Sequence, residues 1–103
     1  MKTSSMIAKL TACVGVAMCA AACAEDIQAR SWAASCAACH GTNGRGGYEV
    51  PALAGRSKPD LMTVLKEFKS DQRKTATIMH QHSKGYSDAQ LERIADYFSR
   101  QSR

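Results

Sequence analysis

The sequence predicts a small all-α domain, three main helices joined by long loops. Two segments place apolar residues at three- and four-residue steps, Leu61-Val64-Leu65-Phe68 and Leu91-Ile94-Ala95-Phe98. No run shows the strict alternation of a half-buried strand. A length of 103 residues leaves room for one domain.

Each helix carries its own start signal. Residues 26–39 read as the first, with Asp26 as a cap and Ile27, Trp32 and Ala34 available for packing. Gly41 to Gly47 holds four glycines and the turn signal Asn43-Gly44, so this loop passes close to something or takes positive φ angles. Tyr48 to Gly55 is irregular, and Pro51 stops any regular ladder. Pro59-Asp60 opens the second helix, which ends between Ser70 and Arg73. Lys74 to Gly85 has no clean period and reads as loop. Ser87-Asp88-Ala89-Gln90 then reads as a capping box opening the third helix.

The N-terminus reads as an address. Lys2 and Lys9 flank a polar start, and from Leu10 to Ala22 every residue except Thr11 is apolar or small. A basic start before an apolar core of about 7 to 15 residues is the pattern of an export signal. Ala22-Cys23-Ala24 fits the small-x-small cleavage rule, with polar Glu25 and Asp26 just after it. The expected division is therefore a signal peptide over residues 1–24 and a domain over residues 25–103. Two other readings stand beside it. The apolar run is short for a membrane anchor, and Ala20-Ala21-Ala22-Cys23 resembles a weak lipoprotein box that would lipidate Cys23.

Composition then excludes several classes. With 45% hydrophobic and 22% charged residues the chain is not disordered throughout. No apolar run reaches the roughly 18 to 20 residues of a membrane span. Removal of Lys2 and Lys9 lowers the net charge by two, from +5 to +3, too mild and scattered to argue for nucleic acid. Of five cysteines, Cys13, Cys19 and Cys23 go with the signal, leaving Cys36 and Cys39. A domain this small has a marginal core and usually needs a staple. A disulfide between residues three apart closes almost no loop and is a poor one.

Cys36-Ala37-Ala38-Cys39-His40 is the attachment signature of a c-type heme. Two thiols on one helical turn reach the two vinyl groups of one porphyrin, and the adjacent imidazole is held beneath the iron. Covalent attachment ties the cofactor to a domain otherwise too small to hold it, and it takes place outside the cytoplasm. A thioredoxin-like pair would want a βαβ scaffold that the sequence does not offer. A zinc site of Cys36, Cys39, His80 and His82 misses the usual histidine spacing.

The iron's sixth ligand has few candidates: Met62, Met79, His80 and His82. Met62 lies among the apolar positions of the second helix and reads as core. Met79 lies in the aperiodic stretch, where the chain can double back across the opposite heme face. A histidine and methionine pair raises the iron's potential relative to two nitrogen ligands. His80 and His82 read instead as solvent-facing. Lys58, Lys66, Lys69, Lys74 and Lys84 are candidates for a docking face, and Tyr48, Arg45, Arg56 or Arg73 for partners of the heme propionates.

On CAACHG, VPALAG and the final ADYF, the chain resembles the class I c-type cytochromes, small monoheme electron carriers, over nearly all of residues 25–103. The resemblance implies the small cytochrome c fold and no enzymatic activity of the chain itself. It gives the carbonyl of Pro51 the ring N–H of His40, packs Leu53 on the heme, and makes Met79 the distal ligand. It also crosses the first and last helices near Trp32 and Tyr97, with Ala29 nearest to the family's usual glycine. More narrowly, TATIMHQHSKGYSDAQLERIADYF is similar to the cytochrome subunits of flavocytochrome c sulfide dehydrogenases. That implies a periplasmic heme domain accepting electrons from a flavoprotein that oxidises sulfide. A free monoheme carrier serving another redox protein, and a five-coordinate gas-binding heme protein, are the alternatives.

Overall fold

The structure, a computed structural model, describes Met18 and residues 27–103. Apart from Met18, the expected signal peptide and the alternative lipid site at Cys23 lie outside the described residues. Among the described residues four helices appear: α1 over 27–40, α2 at Lys58–Lys69, α3 at Met79–Lys84 and α4 at Asp88–Ser99. A 3₁₀ turn, Thr42–Gly44, follows α1. Among the described residues there is no strand, and no helix is long and apolar enough to cross a membrane.

The inward face of α1 differs from the expected one. Ala29, Ala33 and His40 are buried and Trp32 and Cys36 half-buried, whereas Ile27 and Ala34 are exposed. The spacing 29, 33, 36, 40 is the helical period, and small residues occupy it because another helix approaches closely. Ala33 packs in one cluster with Leu61 of α2 and with Ile94, Ala95 and Phe98 of α4. Trp32, Tyr86 and Tyr97 border that cluster half-buried.

Helices α2 and α4 begin where local chemistry starts them. The Ser57 hydroxyl accepts the N–H of Asp60 at 3.3 Å, with Pro59 in the first turn. The capping box of α4 is complete. Ser87 Oγ accepts the N–H of Gln90 at 3.2 Å, and Gln90 Oε1 accepts the N–H of Ser87 at 2.9 Å. Each helix then buries its stripe, Leu61 and Phe68 from α2 and Leu91, Ile94, Ala95 and Phe98 from α4. Full burial of a side chain such as Ile94 or Phe98 contributes about 2 kcal/mol. Against α2 pack both α4 and the short α3, so α2 is the shared wall of the domain.

Two surface ties join the wall to its neighbours. Lys69 Nζ donates to Asp88 Oδ1 at 2.8 Å, and Lys84 Nζ to Asp71 Oδ2 at 2.7 Å. Both carboxyls are held below the ordinary aspartate range, first by the lysine hydrogen bond and then by nearby positive charge. Their contribution to stability is therefore complete above the ordinary aspartate range, about pH 4. It is lost as pH falls through the depressed folded-state values. Acid titration of Lys69→Met beside the unmodified chain is expected to show a shallower loss of stability below about pH 4 in the variant. Because both carboxylates are exposed, added salt will shrink the difference.

Candidate heme site

The site begins at the end of α1. Cys36 and Cys39 are free thiols one helical turn apart, and His40 is the last helical residue, only 6% exposed. Cys36 is half-buried against the core and Cys39 is exposed. Burial pushes the Cys36 thiol up; the Ser35 hydroxyl opposes this and nearby Cys39 adds to it.

His40 is oriented from the loop. Its Nδ1 lies 2.7 Å from the carbonyl oxygen of Pro51. A carbonyl only accepts, so Nδ1 carries the proton and the neutral ring keeps its lone pair on Nε2. That is the tautomer a metal-ligating imidazole needs.

The glycine loop brings Pro51 back to this point. The N–H of Gly46 donates to the His40 carbonyl at 2.6 Å, reversing the chain directly after the helix. The Gly44 carbonyl accepts two N–H groups, from Leu53 at 2.7 Å and Ala54 at 2.9 Å. Gly55 then donates to the carbonyl of Phe98 at 3.0 Å, which fastens the segment to α4. Tyr97 Oη donates to Asn43 Oδ1 at 3.1 Å, a second tie from α4 to the turn. Leu53 is half-buried on the core cluster.

The donor set fits a c-type heme: two thiols on one turn and, beside them, an imidazole already committed to the ligating tautomer. Met79 has a different local structure from the expected one. It is half-buried and opens the short helix α3 instead of lying in an open loop. Met62 packs half-buried on the core cluster. Among the described residues no three of His, Cys, Asp and Glu converge on a metal-sized site, so Cys36, Cys39, His80 and His82 are not gathered as zinc would require.

The surface cations are more committed than the sequence suggests. Lys58 pairs with Glu92 at 3.1 Å, Lys66 and Lys69 with Asp88, and Lys84 with Asp71. Arg56 is held by Asp60, Arg73 by Glu67, and Arg45 by Ser102. Tyr48 is fully exposed. Apart from the i,i+4 pair of Arg56 with Asp60, no sequence pattern marks these pairings, because most partners are brought together by the packing of helices.

The comparisons with known proteins agree on the kind of molecule. Residues 24–101 match the family described as Cytochrome c. The cytochrome subunit of sulfide dehydrogenase from Chlorobaculum tepidum is 41% identical over 69 residues, 67% of this chain and 62% of that protein's length. Cytochrome c-554(548) from Halomonas halodenitrificans is 39% identical over 70 residues, 65% of this chain and 84% of that protein.

Gly44 is a position where the loop tolerates little change. Its φ is +73°, and an added Cβ would lie 2.6 Å from Cδ1 of Phe98. Gly44→Ala is expected to destabilise the heme-loaded protein by about 2 kcal/mol or more. A urea titration followed at the heme absorption checks this.

Proposed function

The chain belongs to the cytochrome c family, and on that premise we propose that it is an exported, periplasmic electron-transfer protein carrying one covalent heme c ligated by His40 and Met79. In this reading the chain is the electron-accepting partner of a flavoprotein in sulfide oxidation. The observation that carries the ligand assignment on the proximal side is the 2.7 Å contact of His40 Nδ1 with the Pro51 carbonyl. Similarity to the cytochrome subunit of sulfide dehydrogenase supports the partner.

When bound, the heme supplies a one-electron couple at its iron. What the chain supplies is attachment, orientation and exclusion of water. Cys36 and Cys39 form the thioethers. Pro51 holds the His40 ring at Nδ1, so Nε2 would be the nitrogen left to hold the iron. Leu53, half-buried beside the core, adds an apolar wall. Met79 would hold the iron opposite His40, which would leave no position for a substrate, as expected of a carrier and not an enzyme.

The test is spectroscopic. The oxidised protein should show the far-red charge-transfer band of Met-ligated ferric heme, and its mass should report one heme and a chain cut after Ala24. Met79→Ala should abolish the band and open the ferrous iron to rapid binding of carbon monoxide, whereas His80→Ala and His82→Ala should keep it. A wild-type protein without the band, binding carbon monoxide freely, would establish the gas-binding alternative instead.

A second reading, a free carrier serving another redox protein, has its support in the 39% identity to cytochrome c-554(548). Mixing with sulfide separates the two. Fast heme reduction by sulfide only when a co-purifying flavoprotein is present supports the subunit; equal reduction with and without it supports the free carrier.

A further inference from the structure

The segment that bears Met79 is poorly equipped to hold itself in place. Helix α3 has six residues, far below the length at which a helix is stable alone. Its first residue is preceded by Ile78, and no side chain caps it. It also buries Ser83, 1% exposed, whose hydroxyl has no hydrogen-bond partner among the described residues. An unpaired buried hydroxyl weakens the element that contains it. The ion pair of Lys84 with Asp71 is exposed, so it adds little.

Tyr86, two residues beyond α3, is tied at three points. Its N–H donates to the carbonyl of Ser83, 3.4 Å away, so it continues the end of the helix. Its own carbonyl accepts from Lys69 Nζ of α2 at 2.8 Å. Its hydroxyl lies 2.7 Å from Ser35 Oγ of α1. The direction of this last bond follows from proton accounting. Ser35 donates its single hydroxyl proton to the carbonyl of Trp32 at 2.9 Å, so the phenol O–H is the donor to Ser35. The ring itself packs half-buried on the core cluster.

Ser35 stands next to Cys36 on the helix that carries both thiols and His40. We infer that Tyr86, through Ser35, is a positioning residue: it clasps the Met79-bearing segment to the helix that bears the attachment site and the proximal histidine. The inference rests on Met79 being the second axial ligand. The clasp acts on how readily Met79 leaves the iron, since it fixes the end of α3 relative to α1. Neither residue is a candidate ligand of the iron, although Ser35 Oγ lies 4.0 Å from Cys36 Sγ.

The experiment uses the heme-loaded, oxidised protein and imidazole as a competing ligand, which enters only when Met79 has left. The far-red band of the wild type is recorded first. Tyr86→Phe removes one hydroxyl, and Ser35→Ala, at an exposed helix position, removes its partner with little risk to folding. Each is expected to keep the band and to bind imidazole roughly five-fold more tightly, the size of one net hydrogen bond. The double variant should bind no more tightly than either single one, because all three lack the same bond. A wild type without the band overturns the ligand assignment and the clasp together. A wild type with the band, but unchanged imidazole affinity in both single variants, overturns the clasp alone. Additive effects in the double variant overturn it too.

Discussion

The hydrogen bond between the ring of His40 and the carbonyl of Pro51 is the constraint on which the site depends. It joins the end of a helix to a loop eleven residues later, and both ends are prepared for it. His40 is buried where α1 stops, and the loop is drawn back by the bonds to His40 and Gly44. A ring held at one nitrogen can present only the other. That selects tautomer and direction at once.

The rest of the fold serves as backing for that contact. Helix α4 is the firmest element, with a complete capping box and four buried apolar residues. It lends firmness to the loop through the Phe98 carbonyl and the Tyr97 hydroxyl. Helix α2 supports both α3 and α4. Lysines at its surface neutralise carboxylates of the same chain. Such pairs leave less unbalanced charge for recognition than the count of lysines suggests, so a partner must read shape and the remaining uneven charge together.

How much of this could be read beforehand depends on how local the cause is. The heme signature is legible because its chemistry is confined to one helical turn. The ends of α2 and α4 are legible for the same reason: Ser57 and Ser87 act within three residues. The contact of Pro51 with His40 has no local code and was reached only through family resemblance. Met79 to Lys84 reads as loop in the sequence because it has neither cap nor apolar stripe; it is helical because it packs against α2. Ala33 was missed since an alanine on a helix looks the same whether it faces water or another helix. The bond between Ser35 and Tyr86 spans 51 residues and leaves no trace in either neighbourhood.

The packing of Gly44 beneath Phe98 has a further meaning for a molecule that passes electrons. With no side chain between them, backbone and ring are in direct contact, and the loop inherits the stiffness of α4. A carrier works fastest when its ligands barely shift as the iron's charge changes, because every displaced atom adds to the reorganisation that each transfer must overcome. By leaving out one methyl group, the chain lets the loop that bonds His40 rest against a buried ring of α4.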